Sequence, residues 1–283
     1  MKSSIAAVAA LLGAASPAMA SEQVDLKLVL ATDVSGSINN DELWLERQGI
    51  AAAFLYPDVI RAIENGALGR IAVAMLDFSS PGFGKTVIDW RIIHDRQSAA
   101  DFARAILALR RTPGNRTSIS NALELGAQMI AASEKDIVAT RNVIDIAGDG
   151  PNNDGKSIPQ IHARVMAQGI VVNGLPIMDE NANGYFLNLD KYYQACVAGG
   201  RGAFIIAVRS YRDFGSAMRR KLILEISQDE TTIKLAGEEP GPLLRNIAAQ
   251  DTPAQSPALL RPARNEFSNT CTVPDPPTGS GKR

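Results

Sequence analysis

The sequence predicts an α/β domain: a doubly wound, mostly parallel sheet with helices on both faces and one antiparallel edge strand. Two observations carry this reading. Short apolar runs alternate with helical patterns, and strand followed by helix, repeated, gives parallel pairing with helices covering both faces. The spacing from Leu76 to Thr86 is short for a crossover and fits a hairpin, where the antiparallel strand enters.

Taken in order, Asp25 to Thr32 is an apolar run read as the first strand. Asp41 to Ile63 is helical, interrupted at Pro57, which has no N–H to give, and Asn39-Asn40-Asp41 offers it a cap. Arg70 to Leu76 and Thr86 to Ile93 are strands, followed by helices over Ser98 to Leu109 and Ser118 to Ala132. Strand Asn142 to Ala147 leads into helix Ile158 to Ala167, then strand Ile170 to Leu175. A short helix around Leu189 to Val197, a strand from Ala203 to Val208 and a helix from Phe214 to Ile226 complete the alternation. Arg219-Arg220-Lys221 reads as a solvated face of that last helix.

Residues 1–20 read as a secretory leader: Lys2, an apolar stretch from Ile5 to Ala15, and Ala18-Met19-Ala20 as a small-residue cleavage site. The expected organisation is therefore a signal peptide over 1–20, one domain over 21–228 and a tail over 229–283. Eight of the fifteen prolines fall between Pro240 and Pro277, which argues an extended tail. The apolar stretch is too short to span a bilayer and no later one does better, so the chain is expected to be secreted or periplasmic after cleavage near Ala20. A formal net charge of −1 leaves no electrostatic footprint for nucleic acid. In an exported chain the two cysteines, Cys196 and Cys271, favour a disulfide that pins the tail to the domain, worth roughly 4 kcal/mol in the chain-entropy model; two free thiols are the alternative.

Asp33-Val34-Ser35-Gly36-Ser37 follows the first apolar run and gathers one carboxylate and two hydroxyls at a strand end. Hard cations take such oxygens, although an Asp or Ser in this place also serves as a turn former or cap. Two further oxygen donors stand at loop positions: Thr117, before a helix, and Asp149, in Gly148-Asp149-Gly150 after a strand. Together Asp33, Ser35, Ser37, Thr117 and Asp149 resemble the metal-ion-dependent adhesion site of von Willebrand factor A-type domains, over about Val24 to Gln228. The stretch from Val143 to Asn153, Asn173-Gly174-Leu175-Pro176-Ile177 and Tyr192-Tyr193-Gln194-Ala195-Cys196 are similar to an uncharacterised, predicted-secreted bacterial branch of that family. The resemblance implies Mg²⁺ or Mn²⁺ on those five residues, and a partner protein whose Asp or Glu completes the coordination. It also implies exchange of direct and water-mediated contact at Thr117 and Asp149, coupled to movement of the helix Phe214 to Ile226. The site reads as a binding device, not an enzyme's.

Three competing signals remain. Gly150-Pro151-Asn152-Asn153-Asp154-Gly155-Lys156-Ser157 matches the phosphate-binding loop pattern between a strand and a helix, which makes a nucleotide hydrolase the alternative function. Against it stand the charge of Asp154, the donor removed by Pro151 and the absence of a following strand that ends in Asp to hold Mg²⁺. Asp179, Asn181, Asn183 and Asp190 are spaced as a weak structural Ca²⁺ loop, whose plainer reading is a polar surface loop. For nucleophilic catalysis there is no Gly-x-Ser-x-Gly elbow, and neither His94 nor His162 lies near a candidate serine in sequence.

Overall fold

The computed structural model describes residues 21–112, 114–180, 186–227, 258–260 and 271. The strands are β1 (Glu22–Asp33), β2 (Ile71–Phe78), β3 (Gly84–Ile93), β4 (Ile137–Gly148), β5 (Val171–Pro176), β6 (Ile205–Ala207) and β7 (Ala258–Leu260). The helices are α1 (Asn40–Leu55), α2 (Pro57–Glu64), α3 (Arg96–Leu107), α4 (Ile119–Ala132), α5 (Ile158–Met166), α6 (Leu189–Tyr192) and α7 (Phe214–Ser227). A π-helical turn, Tyr193–Val197, continues α6. The strands form one sheet in the order β3-β2-β1-β4-β5-β6-β7, parallel from β2 through β6. β3 is the expected antiparallel edge, hairpinned to β2. At the other edge, β7 pairs antiparallel with β6. It comes from the segment read as a tail, most of which lies outside the described residues.

Pleating sends alternate residues of β1 to opposite faces. Leu26, Leu28 and Leu30 join α1, α2, α3 and α7 on one face, while Val29 and Ala31 join α4, α5 and α6 on the other. Local chemistry sets the helix ends. Asn39 and Glu42 form a capping box at α1, whereas Pro57 opens α2 at the first helical position, where its missing N–H costs nothing. Asp95 and Ser98 form a second box at α3.

The Arg219-Arg220-Lys221 run is not a solvated face. Arg219 pairs with Asp58 and stacks 4.3 Å from the Tyr56 ring centroid, and Lys221 is fully buried between Asp145 and Glu225. The run misleads because α7 is packed on both flanks, against α1 and α2 and over the sheet, so Arg219 and Lys221 meet acids rather than water.

Cys196 and Cys271 are bonded, with Cα atoms 5.9 Å apart. Among the described residues no helix is long and apolar enough to cross a membrane.

Candidate metal centre

Strand order reverses at β1. The chain runs outward through β2 and β3, then returns to place β4 on the other side of β1, so the carboxyl ends of β1 and β4 flank a crevice. Ligand sites in open α/β sheets form at such switch points. Asp33 is the last residue of β1, and Asp149 directly follows β4.

The structure brings all five residues singled out in the sequence to this crevice. Asp33 is fully buried; its Oδ1 accepts the Ser35 amide at 2.8 Å, and Oδ2 has no partner. The Ser35 and Ser37 hydroxyl oxygens lie 3.1 Å apart, and Ser37 donates to Asp149 Oδ1 at 2.9 Å. Asp149 Oδ2 is buried without a partner. Thr117 is buried on the third loop, close enough to Asp33 for its hydroxyl to favour the ionised carboxylate.

Two carboxylates in one dry crevice repel. Burial, then the charge of Asp149, raises the Asp33 carboxyl to about 8, against the pull of Ser35 and Thr117. Burial raises Asp149 to about 6, opposed by its bond from Ser37 and reinforced by the charge of Glu42. Such a pair, each with one oxygen unsatisfied and with three hydroxyls around it, suits a hard divalent cation. Only two of the five donors are acidic, and among the described residues no trio of His, Cys, Asp or Glu is assembled for a metal.

The loops are held by residues that the sequence did not advertise. Ser79, immediately after β2, donates to Arg116 O at 2.6 Å and accepts the Asn115 amide at 2.8 Å. Gly114 donates its amide to Val34 O, and Asn115 O accepts the Gly36 amide, both at 2.9 Å. From the Asp149 loop, Asn153 Oδ1 accepts the Thr117 amide and Asn152 Oδ1 the Ser120 amide, both at 2.9 Å. The positional signal was available: Ser79 follows β2 as Ser35 follows the end of β1. A Cβ on Gly114 would stand 2.1 Å from Ser79 Oγ and 2.9 Å from Val34 O. Gly114→Ala should therefore lower stability by about 1–3 kcal/mol and push Thr117 off the crevice; thermal unfolding with and without Mn²⁺ reads both effects.

Glu46 on α1 was also missed. It is fully buried with neither oxygen partnered, and burial holds its carboxyl well above the usual range; the adjacent Arg47 opposes this, while Asp77, Asp33 and Asp149 add to it. Arg47 is committed to Asp77, which also accepts from Thr32 at 2.9 Å.

The competing signals resolve differently. Lys156, the lysine of the phosphate-loop pattern, is paired with Glu124 of α4 at 2.8 Å. His94 sits beside Asp95 at 3.5 Å, and His162 packs against Gly199 with Nε2 unpartnered and burial lowering its pKa. In the calcium-loop pattern, Asn181 and Asn183 lie outside the described residues, while Asp190 is in the first turn of α6.

Solved structures share this fold. Proximal thread matrix protein 1 from the mussel byssus, with a zinc-occupied MIDAS motif, superposes with a TM-score of 0.54 at 16% identity, covering 73% of this chain and 49% of that one. The pilus adhesin SpaC from Lactobacillus rhamnosus GG gives 0.52 at 14% identity, covering 74% of this chain and 32% of that one. The chain thus spans about half the length of the first and a third of the second. At such identities the likeness is one of fold. A comparison with curated proteins finds no match. The family model described as Protein of unknown function (DUF1194) matches residues 23–230, so this chain, with its von Willebrand factor A-like fold, belongs to that family.

Proposed function

We propose that the protein is an exported, divalent-metal-dependent binding domain that docks an Asp or Glu side chain of a partner protein at the metal, in an adhesive or scaffolding role rather than a catalytic one. The observation that carries this reading is the pair of buried, unpartnered oxygens, Asp33 Oδ2 and Asp149 Oδ2, beside the hydroxyls of Ser35, Ser37 and Thr117. Those five side chains would hold Mg²⁺ or Mn²⁺. A bound ion would supply an open coordination position for a carboxylate. Two acidic ligands do no more than balance the ion, and with one of them held through water a single carboxylate touches it directly, which leaves it attractive to an incoming anion. The zinc in the mussel byssus protein and the adhesin among the fold relatives fit the same use. Export is supported by the leader-like residues 1–20 and by the Cys196–Cys271 bond, since disulfides persist in oxidising compartments.

Calorimetric titration of the mature protein with Mg²⁺, Mn²⁺ and Ca²⁺ tests this, run beside Asp33→Ala and Lys156→Ala and with ATP as a second titrant. Asp33→Ala should weaken binding of the ion by at least about 100-fold while leaving the metal-free fold as stable as before or more so, because it removes a carboxyl that burial opposes. Lys156→Ala should bind as the wild type does. ATP binding that survives Asp33→Ala and disappears in Lys156→Ala would replace this reading with a nucleotide site at Gly150 to Ser157.

A further inference from the structure

Two tyrosines reach the crevice from behind, and the five donors leave them unexplained. They belong to the Tyr192-Tyr193-Gln194-Ala195-Cys196 stretch, where α6 passes into the π-helical turn. The hydroxyl of Tyr192 accepts the Asn152 amide at 3.2 Å, and Asn152 in turn holds the Ser120 amide at the start of α4. Tyr193 is fully buried and runs in a slot left by two glycines. A Cβ on Gly174 of β5 would come within 2.7 Å of its Cδ1, and a Cβ on Gly148 of β4 would stand 3.1 Å from its hydroxyl oxygen. That same point above Gly148 lies 3.1 Å from Asp33 Oδ2. The hydroxyl and the carboxylate oxygen therefore border the same space over Gly148, both buried, both without a partner and not hydrogen-bonded to each other. A phenol donates one hydrogen, and a carboxylate oxygen has two acceptor directions, so a bond here leaves Asp33 free to meet an ion or its water. With the Ser35 amide on Oδ1, a donor on Oδ2 fixes the plane of the carboxylate. Three residues beyond Tyr193, Cys196 is bonded to Cys271, 75 residues further along the chain. Turns with π-helical pairing are rare and need support from their surroundings.

We propose that Tyr193 is a positioning residue of the metal site, donating toward Asp33 Oδ2 through one water, and that the Cys196–Cys271 disulfide holds the turn that seats it, so that thiol redox state sets affinity for the divalent ion. This rests on the metal reading above. In the switching step a dithiol reductant supplies two electrons and two protons. The S–S bond breaks, two thiols form on Cys196 and Cys271, and the reductant closes to its own disulfide.

Mn²⁺ titration of the mature chain tests both halves, with wild type and Tyr193→Phe each measured oxidised and after reduction, removal of the dithiol and blocking of the thiols. Tyr193→Phe keeps the ring in its slot and should lower affinity about 10-fold, as loss of a partner behind a metal ligand does. The metal-free unfolding midpoint should fall only slightly, since one hydroxyl is removed and the ring stays in its slot; a role in packing alone would leave affinity untouched. Reduction should cost a similar factor, and reduced Tyr193→Phe should lose no more than either change alone. Wild-type affinity in Tyr193→Phe, losses that multiply, or unfolding of the reduced chain by circular dichroism would overturn the inference, the last by making the bond a global staple. A wild type that binds no divalent ion would overturn the metal reading, and this inference with it.

Discussion

Raising the pH from 5 to 8 should destabilise the metal-free protein and tighten its hold on a divalent ion. The unfolded chain releases the Asp33 and Asp149 protons near the ordinary aspartate value of 3.8, whereas the folded chain keeps them until about 8 and about 6. Through that window the folded state binds more protons than the unfolded one, so the stability these groups contribute is full below the unfolded pKa and is lost as pH rises through the folded values. Asp145, raised to about 7 by burial against the pull of Lys221, has the same sign. Each group costs about 1.4 kcal/mol per pH unit while it differs between the states. Asp33 alone spans the range, so its share of the fall between pH 5 and 8 is on the order of 4 kcal/mol, to which Asp145 and Asp149 add. A divalent ion needs the carboxylates ionised, so its affinity rises through the same window and its uptake releases protons. Denaturant unfolding at pH 5, 6, 7 and 8, in chelator and in excess Mn²⁺, measures both. Chelated protein whose stability is flat or rises over that range would show that Asp33 ionises in the fold without an ion.

How much of this was legible in the sequence depends on where each residue finds its partner. Asp33, Ser35 and Ser37 stood out because their types and strand-end placement are local, Thr117 and Asp149 joined them through the resemblance to an adhesion-site pattern, and the hairpin from β2 to β3 was readable from its short connection. The hydrogen bonds made by Ser79, Asn152 and Asn153 were not. They run to the backbone of loops more than thirty residues away, and nothing in the residues' own neighbourhood marks the recipient. β7 was hidden for a related reason. A strand of three residues in a proline-rich segment has no periodicity of its own, and its conformation is set by the open edge of β6. Buried charges were the hardest. Lys27 is fully buried in β1 because its ammonium reaches Ile130 O, Ser133 and Glu134 at the end of α4, a cap made across 103 or more residues. The same blindness turned the basic run of α7 into an imagined surface.

Within that run, Lys221→Met should cost about 3–5 kcal/mol, the usual penalty for removing one partner of a buried ion pair. The Lys221 ammonium lies 2.9 Å from Asp145 Oδ1, 2.7 Å from Glu225 Oε1 and 4.7 Å from the centroid of the Phe204 ring. Glu225 Oε1 also accepts from Asn173 at 2.8 Å, and Asn173 Oδ1 accepts the Phe204 amide at 3.0 Å. At the end of α7, Arg141 donates to Glu225 O at 2.7 Å and Ile226 O at 3.2 Å, capping the helix from the sheet. Methionine fills the volume but leaves Asp145 and Glu225 facing each other without a cation, so the loss comes from uncompensated charge rather than from a cavity. Two consequences separate this from ordinary packing damage. The penalty should shrink toward pH 5, where Asp145 takes up a proton, and Lys221→Met combined with Asp145→Asn and Glu225→Gln should recover most of it. Urea unfolding of the single and triple variants at pH 5 and 8 reads both. A single variant that loses less than about 1 kcal/mol at pH 8 would mean that hydrophobic packing, not this network, seats α7. A penalty that the triple variant leaves unrelieved would assign the loss to packing as well. Because α7 lies against α1, whose first turn stands beside the Asp33 crevice, the same titrations repeated with Mn²⁺ would also show whether seating α7 and holding the ion draw on shared free energy.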